Sequence, residues 1–96
     1  MLKVIKIGGN IIDDPRKLDR FLHDFSRVEG PKILIHGGGK SVTAISKALG
    51  IETRMIDGRR VTDQQTMEVV TMVLGGVINK TVVNKLNALG CRAVGL

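Results

Sequence analysis

The apolar positions change period along the chain, and each change marks an element. LKVIKI (2–7) reads as a strand ending at Gly8-Gly9. Asp14 then offers an N-cap and Pro15 the favoured first helical position. Leu18, Phe21, Leu22, Phe25 and Val28 recur at helical spacing, and Gly30-Pro31 stops that helix. KILIH (32–36) is a second strand. The triplet Gly37-Gly38-Gly39 opens a second helix with Val42, Ile45 and Leu49 on one face and Gly50 as its stop. TRMIDGRRVT places Asp57-Gly58 between two short extended pieces, as a type I′ hairpin requires, because both central residues must take positive φ. Thr62 and Gln65 match the S/T-x-x-E/Q capping box, with Asp63 as a rival N-cap. A long helical pattern follows through Met67, Val70, Leu74, Val77, Ile78, Leu86 and Leu89 to Gly90, and CRAVGL (91–96) reads as a further strand. Gly75-Gly76 inside that helix should each cost up to about 1 kcal/mol relative to alanine. The pair therefore predicts a kink or a close helix contact, for which a subunit interface is one place.

Strand, helix, strand, helix, hairpin, helix, strand specifies an α/β fold: a mainly parallel open sheet flanked by helices, an αβα sandwich with a β-hairpin insertion. The two strands around the first helix should be parallel, joined by a right-handed crossover, so their C-terminal ends share one edge. Gly8-Gly9 and Gly37-Gly38-Gly39 both fall on that edge, where open α/β sheets bind ligands.

Composition narrows the classes. Ninety-six residues make one small domain at most, and 43% hydrophobic with 25% charged residues is a globular balance. Two Phe and no Trp or Tyr leave the core to Ile, Val, Leu and Met, and disfavour single-stranded nucleic acid, which stacks on aromatic rings. The net charge of +6 suits an anionic partner, but the basic residues are scattered, and a piece of a larger protein would carry the same excess. One cysteine, Cys91, forms no internal disulfide, and MLKVIKIGGN interrupts its apolar run with Lys3 and Lys6, unlike a signal peptide. No apolar run is long enough to span a bilayer. The expectation is a cytoplasmic protein with no nucleic-acid or membrane partner.

HGGGKS (36–41) resembles a phosphate cradle, but a P-loop needs glycine at 34, where Leu34 stands, and a dinucleotide fingerprint from Gly37 needs glycine at 42, where Val42 stands. What remains is two bare strand-to-helix turns side by side, whose N–H groups and helix N-termini suit an anion. Lys6 lies near the end of a strand expected to be buried between helices. Buried lysines are paired or functional, whereas strand alternation or snorkelling would put the ammonium in water. The adjoining glycine turns favour phosphate binding, with Lys6 neutralising a transferring phosphoryl group. Arg60, at the hairpin exit, offers a bidentate fork for a carboxylate, and Arg59 is read as a solvated charge. His36 is assigned no catalytic role. Lys40 and Ser41 fall in the first helical turn, exposed, with Ser41 a candidate cap.

KIGGN (6–10), HGGG (36–39) and especially GRRVTDQQTMEVVTMVLGGVINKTVVNKLNALGCRAVGL (58–96) resemble the N-terminal portion of the N-acetylglutamate kinases, within the amino acid kinase family. K-x-G-G alone is widely shared; the RVTD segment with its long INK-containing helix and terminal AVGL is more specific. The resemblance covers essentially the whole chain. It implies the amino acid kinase fold and transfer of the γ-phosphoryl group of ATP, carried with Mg2+, to the side-chain carboxylate of N-acetyl-L-glutamate in arginine biosynthesis. It implies Lys6 as transition-state stabiliser, Gly38, Gly39 and Arg60 as substrate-binding residues, and Gly8, Gly9 and Gly37 as phosphate-loop residues. It implies a homodimer through the 63–89 helix, and no protein metal ligands. It further implies that residues 1–96 are the amino-acid-substrate-binding lobe, incomplete at the C-terminus. The ATP-binding lobe would follow Leu96, and the 96 residues alone would not catalyse. An N-succinylglutamate kinase and a non-catalytic small-anion-binding α/β domain are the alternative readings.

Overall fold

The computed structural model describes residues 1–52, 54–61 and 63–96, without the side chains of Arg54 and Arg60. Strand β1 (Lys3–Ile7) pairs in parallel with β2 (Lys32–His36), in register from Lys3↔Lys32 to Ile7↔His36. Between them run α1 (Gly9–Ile12) and α2 (Pro15–Ser26). The four-residue α1 is too short for a periodic signature and was not expected; it delivers Ile12 to the core. At the start of α2 the Asp14 carboxylate accepts from the backbone N–H groups of Arg16 (3.0 Å) and Lys17 (3.2 Å), and Pro15 follows as predicted. Leu18, Leu22 and Phe25 form its buried stripe. The helix stops at Ser26, short of Val28, and its end is closed from the next strand: the Lys32 ammonium donates to the carbonyls of Phe25 (2.8 Å), Ser26 (3.2 Å) and Val28 (2.6 Å) and lies 4.9 Å from the Phe25 ring centroid.

Helix α3 (Gly39–Ala48) follows β2, and its N-cap is Gly38, with no side-chain cap, so Ser41 does not play that part. It buries Val42 and Ser46, while Leu49, expected on the inner face, is exposed. Gly50 (φ 73°) closes it in a Schellman turn, the N–H of Ile51 reaching Ser46 O (2.8 Å) and that of Gly50 reaching Lys47 O (3.1 Å). β3 (Arg54–Ile56) and β4 (Arg59–Val61) form the hairpin, with Asp57 at φ 50° and Gly58 at φ 75°, the type I′ signature.

Of the two N-cap candidates for the long helix, Asp63 caps it, accepting from the Thr66 N–H at 2.8 Å; Thr62 lies outside the described residues. The helix comprises α4 (Gln64–Val70), a π-helical stretch (Thr71–Ile78) and α5 (Asn79–Ala88). Its buried stripe is Thr66, Val69, Val73, Ile78, Val82 and Leu86; of the expected positions Ile78 and Leu86 are buried, Val70 and Leu74 half-buried, and Met67, Val77 and Leu89 exposed. Val73 and Ile78 are five positions apart. A regular α-helix would rotate them onto different faces, and the π stretch, in which Asn79 N–H reaches Leu74 O, restores them to one. Gly75-Gly76 lies inside this stretch, and among the described residues a side chain at either position would meet nothing within 4 Å, so the irregularity is present and a close contact with those residues is not. By length and composition alone the 25-residue helix from Gln64 to Ala88 could cross a bilayer, but core helices meet the same criterion, and its buried stripe packs into this core.

Gly90 (φ 80°) ends the helix in a second Schellman turn, with Cys91 N–H on Leu86 O and Gly90 N–H on Asn87 O, both at 3.0 Å. The expected strand over 91–96 is absent. A strand exists only through a ladder, and here helix side chains hold the peptide groups instead: Asn87 Nδ2 donates to Ala93 O (3.1 Å) and Lys80 Nζ to Gly95 O (3.2 Å).

The α/β class, parallel open sheet and hairpin are as the sequence implied. The core joins Ile7 and Ile12 to Leu18, Leu22, Phe25, Val42, Val69, Val73, Ile78, Val82 and Leu86. Among the described residues the helices cover one face of β1–β2. Ile5, Ile7 and Leu34 turn inward, whereas Val4, Lys6, Ile33 and Ile35 are exposed on the other face. The strands are thus buried on one side, not between two helical layers.

Candidate functional site

The register Ile7↔His36 fixes the site, because it makes Gly8 and Gly37 neighbours as both strands leave the same sheet edge. Gly8 has an ordinary φ of −93°, and its carbonyl accepts from the N–H groups of Ile11 and Ile12, both at 3.2 Å. A Cβ added at Gly8 or Gly37 would meet nothing within 4 Å. Neither backbone conformation nor packing within the described residues requires glycine at these two positions, and what their bareness provides is room for an approaching group. Gly9 begins α1, where a Cβ would lie 3.2 Å from Asp13 Oδ2.

Gly38 differs. Its φ of 150° is closed to L side chains, and a Cβ there would press on Leu74 Cδ2 (2.8 Å) and, harder, on Ile78 Cδ1. The fold itself therefore demands this glycine, which the motif reading gave wholly to substrate. Gly39 opens α3, whose N-terminal N–H groups and dipole face the same edge of the sheet.

Lys6 stands opposite Ile35 in the ladder, two residues before Gly8. It is exposed on the uncovered face, as strand alternation allowed, so its ammonium is free to meet an anion at the turns without a buried charge to compensate. Arg60 stands opposite Met55 in the hairpin, which forms a sheet separate from β1–β2. Its side chain lies outside the described residues. Arg59 and Lys40 are exposed. Among the described residues, no three His, Cys, Asp or Glu side chains converge as a metal site.

His36, left without a catalytic part, has a structural one. Its Nδ1 lies 3.0 Å from Gly37 O and its Nε2 3.2 Å from Asn79 Nδ2, tying the strand end to α5. The Lys80 ammonium donates to Asn79 Oδ1 at 2.9 Å. No sequence signal pairs residues 36 and 79; only packing of α5 beside β2 does. The same two elements and the 91–96 segment border a groove of about 600 Å³ with an apolar lining that includes Leu34, Val82 and Leu86.

The family model of the amino acid kinases, described as "Amino acid kinase family", matches residues 1–96. The chain belongs to the amino acid kinase family. Among curated relatives, an acetylglutamate kinase of Cytophaga hutchinsonii is 58% identical over 95 residues, covering 99% of this chain and 36% of the relative. Those of Parabacteroides distasonis (50% identical, 99% of this chain, 37% of the relative) and Acinetobacter baumannii (49%, 97% and 32%) are similar in the same way. The chain thus spans about a third of the length of the curated relatives it matches. Two solved structures share the fold: smu.665 from Streptococcus mutans (TM-score 0.69, 24% identical, 93% of this chain, 37% of that one) and N-acetylglutamate synthase from Neisseria gonorrhoeae (TM-score 0.62, 23%, 97% and 21%).

Proposed function

We propose that this amino acid kinase segment is the amino-acid-substrate lobe of an acetylglutamate kinase. That enzyme transfers the γ-phosphoryl group of ATP, supplied with Mg2+, to the side-chain carboxylate of N-acetyl-L-glutamate, a step of arginine biosynthesis in the cytoplasm. The observation that carries this reading is the pair of bare turns at Gly8 and Gly37, adjacent on one sheet edge and glycine without an internal need. Relatives of 49–58% identity named acetylglutamate kinase support the choice of substrate.

In this reading the acceptor carboxylate and the transferring phosphoryl group meet over the turns formed by Gly8, Gly9 and Gly37. Backbone N–H groups and the α3 N-terminus face the charge that builds there. Lys6 reaches in from the open face and neutralises charge that grows in the transition state, and Gly38 and Gly39 set the substrate-side wall. Arg60 forks the α-carboxylate of the acceptor. A second copy of the chain packs along the 63–89 helix, and neither nucleic acid nor membrane is a partner.

The test is ATP-dependent acyl-phosphate formation on N-acetyl-L-glutamate by the intact protein, with N-succinyl-L-glutamate as competitor and residues 1–96 alone as an inactive control. Lys6→Ala should lower kcat strongly with little change in KM, and Arg60→Ala should chiefly raise KM for the acyl amino acid. Undiminished turnover in Lys6→Ala would remove the central assignment.

A further inference from the structure

The donor and acceptor inventory around His36 admits one arrangement. An ammonium can only donate, so Lys80 Nζ, 2.9 Å away, engages the amide oxygen of Asn79 and leaves Asn79 the NH2 group for His36. Nε2 of His36 must then accept, which places the ring proton on Nδ1, and Nδ1–H donates to Gly37 O at 3.0 Å. Lys80 is itself held by Gly95 O at 3.2 Å, so the chain of bonds runs from the 91–96 segment through α5 to the glycine turn.

The last bond has a directional consequence. In a trans peptide the carbonyl of one residue and the N–H of the next point in opposite directions, and no peptide among the described residues is cis. Fixing Gly37 O against the imidazole therefore aims the Gly38 N–H away from His36. No acceptor within the chain takes that N–H among the described residues. The Gly38 carbonyl on the other side accepts from Val42 N–H at 3.1 Å, so the residue is tied to the first turn of α3 as well.

We infer that Asn79 is a positioning residue: through the tautomer it imposes on His36, it aims the Gly38 N–H at the anionic group of the acyl amino acid. The inference rests on the proposed function for the identity of that ligand. Asn79 touches no reacting atom and acts through His36 and the Gly37 peptide. Loss of the Asn79 donor frees the imidazole to carry its proton on Nε2, and the Gly37 carbonyl then loses its partner. Misaimed by an ångström, such a donor costs on the order of 10- to 100-fold in rate.

The experiment compares the intact wild-type protein with Asn79→Asp, whose carboxylate keeps the shape but only accepts, and with Asn79→Ala. Nitrogen-15 spectra of His36 should report the Nδ1–H tautomer in the wild type, and proton on Nε2 in Asn79→Asp. The variant should lose about 10- to 100-fold in kcat/KM for N-acetyl-L-glutamate, with KM for ATP and the melting temperature little changed. An Nε2–H tautomer in the wild type overturns the inference. So does unaltered kcat/KM in both variants, or a fall that tracks loss of stability and is equal for both substrates. If the intact protein phosphorylates no acylglutamate, the proposed function fails, and inorganic phosphate decides the relay. A phosphate-dependent shift of the Gly38 amide that Asn79→Asp abolishes upholds it, and a shift absent in the wild type or unchanged in the variant overturns it.

Discussion

Replacing Gly38 by alanine separates what the fold asks of the glycine triplet from what a ligand asks. At φ 150° and ψ 28° an L residue is strained, at a cost of about 1–3 kcal/mol. The new Cβ also drives into Leu74 Cδ2 at 2.8 Å and into Ile78, which is 8% exposed and part of the core, adding about 1–3 kcal/mol of overpacking. One backbone shift would relieve both, so the two costs overlap, and a loss of about 1–5 kcal/mol is expected. Gly8→Ala and Gly37→Ala meet open space, and stability should change by no more than about 0.5 kcal/mol while turnover falls. Urea denaturation of the intact protein, read by circular dichroism beside the kinase assay, gives both quantities for each variant. Wild-type stability in Gly38→Ala would refute the packing argument. Destabilisation by Gly8→Ala or Gly37→Ala comparable to that of Gly38→Ala would refute the claim that their bareness serves a ligand.

Lys32→Met keeps the aliphatic stem but strips three carbonyls of a charged donor and removes the contact with the Phe25 ring, so unfolding free energy should drop by about 2–3 kcal/mol in denaturant titration. An unchanged midpoint would mean water serves those carbonyls equally well. Asp14→Ala should cost about 1 kcal/mol and Asp14→Asn much less, since asparagine still accepts from Arg16 and Lys17; equal losses would point to charge instead of the cap. Ser46 Oγ is fully buried with no partner among the described residues, so Ser46→Ala should raise the melting temperature, by about 1 kcal/mol of stability, and a lowered one would reveal a hidden bond.

Sequence alone determined the features whose cause lies within a few residues. Asp14-Pro15 start a helix because the cap and its N–H groups are neighbours, Asp57-Gly58 turn a hairpin because the turn needs two positive φ values, and Gly50 and Gly90 close helices for the same conformational reason. The parallel pair with both glycine turns on one edge was also legible, since a β–α–β connection leaves little choice. Tertiary structure decided what depends on distant partners. The buried stripe of the long helix passes from Val73 to Ile78 through a π stretch that a 3.6-residue period cannot describe, and residues 91–96 give their peptide groups to Asn87 and Lys80 instead of to a strand. Lys6 proved exposed because the helices pack on one face of the sheet, and Gly38 proved necessary to packing because the long helix lies behind it. His36 and Asn79, 43 residues apart, meet only when α5 docks beside β2, which no local pattern encodes.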